Sequence, residues 1–444
     1  MKLLLMCYEC SPYVGSEWAV GWGRLLGAAK LGETHVVTSE ENFQHLQRAR
    51  AEGLMPGNVF IHTPIPDARL RALEQKAGMF AYNYKAYNYW QKLALAYVQR
   101  LHAQESFDVA HQVNVCTFRE PGYALELGIP FIWGPVGGSQ NFPRQFLKAL
   151  SPKEAIKEGV RGVANCLTLR KSRVRDAARR SAVLIAANST NQRDFENAFQ
   201  RRVELLLETG LHDFSEPDRS RFQARVYDAH HRLTPAPLRL LWSGELHTRK
   251  ALPILLRALV HLGPSVAWQL DVLGDGPMRA GWMKEAASLG LQDRVRFLGR
   301  QSFSDAVAEM QSAHLLCFTS LRDTSGNVIL EALAAGVPVI CFDHQGAGDI
   351  VNASCGIKIP VQSPREAYDA WADTLAELAT DPDRLLRLSE GATRRAAEFL
   401  WSRNHDRINA MYRELVQKAG CSAQSDSQQT WHPGVPVAEE AHTL

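Results

Sequence analysis

HLLCFTSLRDTSGNVILEALAAGVPVICFD, His314 to Asp343, contains a complete strand–turn–helix–strand unit. HLLCFTS reads as a buried strand ending at Ser320, and VPVICFD as a second one. VILEALAAG between them has the length and composition of a helix that begins near Asn327 and stops at Gly336 and Pro338. Such units build doubly wound sheets, whose ligands lie at the carboxyl ends of the strands. The turn DTSGN occupies a strand's carboxyl end and a helix's amino end. Unpaired N–H groups and about half a positive charge there suit a phosphate or sugar oxygens. Gly326 permits close backbone approach to a ligand.

Two acids flank this turn, Asp323 and Glu331. The plain reading makes Asp323 or Ser325 a helix N-cap and Glu331 a solvated helix residue. Against it, Glu331 stands between VIL and ALAAGVPVI, and in a buried helix an unpaired glutamate is costly. Both acids are therefore candidates for binding sugar hydroxyls.

The unit recurs through the chain. LLLMCYE, THVVTS, VFIHTP, DVAHQV, PFIWGP and AVLIAANS alternate with amphipathic stretches in the first half. LRLLWSG, WQLDVLGDG, VRFLG, HLLCFTS and VPVICFD do so in the second. Alternation in two blocks predicts an α/β protein of two doubly wound, Rossmann-like domains with a cleft between them. A length of 444 residues agrees, since one core rarely serves more than about 250–300. The expected boundaries are a first domain over 1–215, a linker over 216–237 and a second domain over 238–395. A closing helix is expected over 396–418 and a tail without apolar periodicity over 419–444.

Other strand ends supply further candidates. SGELHTRKALPILLRAL places Arg249 and Lys250 between a strand and a helix, where cations can clamp a diphosphate or simply be solvated. LGDGPMR contributes Gly274, and RVRFLGR ends at Arg300, near where a base would lie. CSPYVGSEW places Gly15 and Ser16 at a helix start, and WGPVGGSQN forms a second glycine-rich loop. His111 closes DVAH as the titratable side chain of that region. DPDR at Asp381 resembles a metal motif, but Asp381 as N-cap with Pro382 at the first helical position explains it better.

Composition narrows the class. Apolar residues make up 45% and charged residues 22%, as in globular proteins, and a net charge of +3 gives no argument for nucleic acid. No apolar run approaches the roughly 18 residues of a membrane span. MKLLLMC is shorter than a signal-peptide core and reads as a first strand. Cys7 and Cys10 form a CxxC without a second ligand pair, so no metal is expected and the reducing cytoplasm is the default compartment.

Together these stretches resemble the retaining nucleotide-sugar glycosyltransferases of family four, glycosyl transferases group 1, with the GT-B architecture. The resemblance runs to about residue 418 and is strongest from Asp323 to Pro338, which is similar to that family's Glu-x7-Glu motif followed by EAxAxGxPVI. It implies transfer of a hexose-type sugar from a nucleotide sugar to a growing surface polysaccharide or lipid-linked glycan, without metal or other cofactor. Glu331 would bind the ribose, Asp323 the transferred sugar, and the backbone of Ser325, Gly326, Asn327 and Val328 the sugar and diphosphate. Arg249 and Lys250 would neutralise the leaving diphosphate, Gly274 and Arg300 would flank the base, and Gly15 would approach the phosphate. His111, or the position of Val113, would contact the donor sugar. The chain departs from the pattern at Asp323, one methylene short of glutamate, and at Glu245, where relatives usually carry arginine.

Residues 151–180 carry nine basic and three acidic side chains. With the aromatic stretch Phe80, Tyr82, Tyr84, Tyr87, Tyr89, Trp90 and Tyr97, they suggest contact with an anionic membrane surface, hence a peripheral protein at the inner face. Two competing readings share the architecture: a nucleotide-sugar 2-epimerase and a non-catalytic nucleotide-sugar-binding scaffold.

Overall fold

The computed structural model describes residues 1–76, 80–212, 214, 222–224, 226, 237–263 and 266–428, with 80–83 and 420–428 described by their backbone only. Most of the expected linker 216–237 and the tail from 429 onward lie outside the described residues, as do the side chains of Phe80 and Tyr82.

The first half forms a parallel sheet in the order β3-β2-β1-β4-β5-β6-β7. Its strands are β1 (Lys2–Cys7), β2 (Glu33–Val37), β3 (Val59–His62), β4 (Val109–Asn114), β5 (Phe131–Val136), β6 (Val183–Ala186) and β7 (Glu204–Leu205). The second half forms another, in the order β10-β9-β8-β11-β12-β13. These are β8 (Leu238–Ser243), β9 (Trp268–Leu273), β10 (Val295–Gly299), β11 (Leu315–Phe318), β12 (Val339–Phe342) and β13 (Gly356–Ile359). The expected six and five runs are all strands. Both sheets are covered by helices on two faces, so their central strands are buried end to end: β4, β5, β11 and β12 show no exposed residue. In each sheet the strand order reverses beside the first strand, β1 against β4 and β8 against β11, and such switch points open the crevices that take ligands.

Asp381 caps the helix Pro382–Ala396 by accepting from Arg384 N, with Pro382 at its first position. The last helix, Trp401–Gln428, runs beyond the expected end at 418 and returns to the first domain, where Ile408 and Tyr412 join the core around Leu5 and Leu25. Small residues admit it. A Cβ on Gly23 would lie 2.6 Å from Trp401, and one on Gly27 would lie 2.4 Å from His405. The aromatic stretch serves mainly packing, because Tyr87 and Trp90 are buried in the core with Phe131 and Trp133.

Candidate active site

The site begins where β8 and β11 end. Thr319, just past β11, accepts from Trp242 Nε1 at 2.9 Å and donates to the Lys250 carbonyl at 2.7 Å. Leu321 N donates to the Arg249 carbonyl at 2.9 Å. The turn Thr248–Lys250 is thereby fastened to the end of the neighbouring strand. Lys250, 9% exposed, forms an ion pair with Asp323 Oδ2, and Arg249 Nη1 lies 3.3 Å from the same oxygen. Burial alone would raise the Asp323 carboxyl, but Lys250 and Arg249 outweigh it and hold it below the ordinary carboxylate range. Two cations meet one carboxylate, so the cluster keeps one positive charge at the mouth of the turn. The predicted diphosphate clamp and the predicted sugar acid thus form one unit.

Gly326 stands at the N-cap of the helix Asn327–Ala334 with φ 84°, and no side chain caps that helix. Neither Asp323 nor Ser325 is a cap. Ser325 Oγ instead donates to Glu208 at 2.7 Å. Glycine is required at 326: its φ is left-handed, and a Cβ there would lie 2.9 Å from the Phe318 ring. The helix buries Ile329, Leu330, Ala332 and Leu333 but leaves Glu331 exposed, with Asn327 and Val328 half-buried. The expectation that a buried environment would force Glu331 to find a partner is corrected here. The helix is apolar around most of its circumference, and Glu331 occupies its one open side. Neighbouring protein still desolvates the carboxyl enough to raise its pKa.

The remaining second-domain candidates cluster at adjacent strand ends. Gly274, φ 119°, brings its backbone so close that a Cβ would lie 2.0 Å from the Gly244 carbonyl oxygen. Its N–H donates to the Gly299 carbonyl at 2.8 Å. Gly274 therefore lets the ends of β8, β9 and β10 converge, with Arg300 exposed just beyond and Glu245 exposed beside Gly244. In the first domain, Gly15 is exposed with open space where a Cβ would stand. The left-handed residue of that loop is Ser16, φ 60°.

Several residues that join the two domains carry no motif. Thr324, inside the DTSGN turn, accepts from Gln140 Nε2 at 2.9 Å through its hydroxyl and from Asn188 Nδ2 at 2.8 Å through its carbonyl. Its methyl seats where Gly137 leaves room, since a Cβ on Gly137 would lie 2.7 Å away. Gln345, itself left-handed at φ 54°, accepts from Asp323 N at 2.7 Å and donates to the Asn141 carbonyl at 3.1 Å. Arg322 makes a two-pronged pair with Glu158 at 2.9 and 3.1 Å. The glycine-rich loop WGPVGGSQN thus grips the turn that carries Asp323.

Glu208 and Glu17 add buried carboxyls. Burial raises both to about 7, and each is raised further by neighbouring acids: Glu208 by Asp323, and Glu17 by Glu208 and Glu9. Glu17 accepts from Cys116 N, and one oxygen of Glu208 has no hydrogen-bond partner among the described residues. A carboxyl whose folded pKa exceeds its unfolded value favours folding while protonated, and that advantage disappears as pH rises from about 4.5 to 7. Between pH 5 and pH 8, Glu208→Gln is expected to gain about 2–3 kcal/mol of unfolding free energy relative to wild type. Denaturant unfolding at the two pH values checks this; an equal difference at both would contradict it.

His111 is placed differently from its expected role. It is fully buried in β4, where Nε2 donates to the Gly134 carbonyl and Nδ1 accepts from the Tyr412 hydroxyl. Burial lowers its pKa to about 3, aided by Arg24, so the ring is neutral. It fastens the closing helix to the sheet and does not face the Asp323 cluster. Val113 is also buried. Among the described residues, the one group with metal-ligand spacing is Glu33, His35 and Glu105. It lies at the amino ends of the strands, away from the cleft, and already holds Lys2.

Two parallel-sheet domains facing each other across such a cleft are the GT-B fold. Over 93% of this chain and 100% of the other, the structure of Anabaena Alr3699/HepE in complex with UDP-glucose matches with a TM-score of 0.57 at 18% identity. WaaG, a glycosyltransferase involved in lipopolysaccharide biosynthesis, matches over 92% and 99% with a TM-score of 0.56 at 18% identity. Residues 237–381, within the second domain, match the family model described as glycosyl transferases group 1. A D-inositol 3-phosphate glycosyltransferase of Saccharomonospora viridis is 33% identical over 188 residues, 40% of this chain and 43% of the relative. One from Thermobispora bispora is 33% identical over 196 residues, 41% and 45%. The chain thus matches less than half the length of these curated relatives.

Proposed function

We propose that the protein is a retaining, metal-independent hexosyltransferase that uses a nucleotide sugar and builds a surface polysaccharide or lipid-linked glycan. The observation that carries this reading is the Arg249–Lys250–Asp323 cluster, held at the end of β11 beside the uncapped start of the helix Asn327–Ala334. A net positive charge next to a helix amino end suits a leaving diphosphate and needs no cation from solution. UDP-glucose is the donor to try first, because a protein of the same fold is solved in complex with it.

In this mechanism Arg249, Lys250 and the N–H groups of the helix's first turn stabilise the charge that develops as the glycosidic bond loosens. Asp323, fixed by two cations, keeps them aimed and has lone pairs left for a sugar hydroxyl. Backbone at Ser325, Gly326, Asn327 and Val328 lines the diphosphate, Glu331 reaches the ribose diol from the open side of its helix, and Gly274 and Arg300 flank the base. Gly15 approaches the phosphate from the first domain. The departing phosphate oxygen takes the acceptor's proton on the face that the phosphate leaves, which preserves the anomeric configuration. The acceptor binds on the first-domain side, with the protein at the inner face of an anionic membrane.

Incubation with UDP-, GDP- and ADP-sugars and an acceptor extract tests the reading. Nucleoside diphosphate released together with a product of unchanged anomeric configuration supports it. Epimerised donor, or binding without turnover, would overturn it. Glu331→Ala is expected to weaken nucleotide affinity by about 1–3 kcal/mol, the scale of hydrogen bonds to a charged group, as read by calorimetric titration. Unchanged affinity would remove Glu331 from the ribose site.

A further inference from the structure

The helix Pro152–Leu169 is amphipathic in the inverted sense. Its inward side is polar: Glu158 is buried against Arg322, and Asn165 is buried against Arg119, the Ser139 carbonyl and Asn141. Its outward side is aliphatic: Ile156, Val160, Val163 and Leu167 are 68%, 63%, 61% and 57% exposed. Steps of four, three and four residues put these side chains in one stripe along the helix. A globular domain normally turns such a stripe inward, so this face is shaped for a covering that the described chain does not provide.

Charge identifies the covering. Lys153, Lys157, Arg170 and Lys171 are exposed along and beyond the stripe, and Arg175 and Arg179 on the next helix, Ser172–Arg180, are exposed too. Arg170, Arg173, Arg175 and Arg179 line an open depression in which Asp176 is the only acid among the described residues. Aliphatic side chains that insert and cations that remain outside them match an anionic lipid surface. A second copy fits poorly. Apposed stripes would bring like charges together, and four mid-sized side chains fall short of the roughly 800 Å² per partner in a stable interface.

We infer that the helix Pro152–Leu169 docks on an anionic bilayer, inserting Ile156, Val160, Val163 and Leu167 among the headgroups. The docking helix also touches the site, because Glu158 on its inner side holds Arg322, the residue before Asp323. A docked protein therefore keeps its cleft beside the bilayer, where a lipid-linked acceptor resides. The inference deepens the proposed transferase reading by placing its acceptor. Lipid binding is measured without donor, so failure of one does not carry over to the other.

Flotation of the full chain with phosphatidylcholine vesicles, with and without 30% phosphatidylglycerol, tests it. The wild type is expected to float with the anionic vesicles, and Ile156→Ser/Val163→Ser to lose roughly tenfold or more of that partitioning. Both positions are exposed, so the fold has no stake in them; an unchanged melting curve verifies this. Arg175→Glu/Arg179→Glu is expected to weaken flotation and reduce its salt dependence. Three results would overturn the inference: no flotation at low salt, equal flotation by the serine variant, or a concentration-dependent dimer that the serine changes abolish without any vesicle binding.

Discussion

Lys250→Ala is expected to lower turnover by about 10²–10³-fold, the loss seen when one preorganised donor is removed from a developing oxyanion. The effect arises in the bond-breaking step. Lys250 is nearly buried, held through its carbonyl by Thr319, and its ammonium is fixed against Asp323 before any substrate arrives. Such a charge needs no reorganisation as the diphosphate leaves. Its removal also leaves Asp323 with Arg249 as its sole cationic partner in the cluster, which changes the cluster's net charge from +1 to zero. Single-turnover measurement at saturating donor separates this from weaker binding. A rate constant within about threefold of wild type would show that the leaving group is stabilised elsewhere.

His111→Ala is expected to act on stability and leave turnover nearly intact. The change leaves the Tyr412 hydroxyl and the Gly134 carbonyl without their partner and opens a cavity in the first-domain core. Each unsatisfied buried group costs about 1–3 kcal/mol, so a loss of roughly 3–6 kcal/mol is expected with the cavity included. Because burial keeps the folded pKa below the unfolded one, the wild-type histidine's contribution is complete above about pH 6.5 and is lost as pH falls toward 3. The alanine variant lacks that component. Thermal unfolding together with turnover well below the melting temperature distinguishes the roles. Lost turnover at unchanged stability would return His111 to the donor site.

The architecture was legible in the sequence because both sheets are parallel and covered on two faces. Such strands are near-continuous apolar runs, and LLLMC, LLCF and VICF stand out between helical stretches. The Asp323 turn was legible for a related reason: a strand end followed by a helix start is where this topology places a ligand. Its partners were harder to read. Gln140, Gln345 and Glu208 come from three separate segments and meet the turn through tertiary contacts that no spacing encodes. Glu331 was judged by its apolar neighbours in sequence, whereas burial on a helix depends on direction, and its direction is open. His111 reads in the sequence as the end of DVAH, but it stands within β4 and captures the returning helix through Tyr412, 301 residues away. The outward stripe from Ile156 to Leu167 has the periodicity of a core face. The buried Glu158, Asn165 and Thr168 reveal which side is inside.

The central claim is that the Arg249–Lys250–Asp323 cluster and the helix start at Asn327 together form a nucleoside-diphosphate site. Calorimetric titration of UDP, GDP and ADP into wild type and Lys250→Ala tests it most directly. The expected result is saturable binding of at least one diphosphate by the wild type, with affinity at least tenfold weaker in the variant, about 1.4 kcal/mol. Equal affinity in both proteins, or no binding of any of the three, would contradict it.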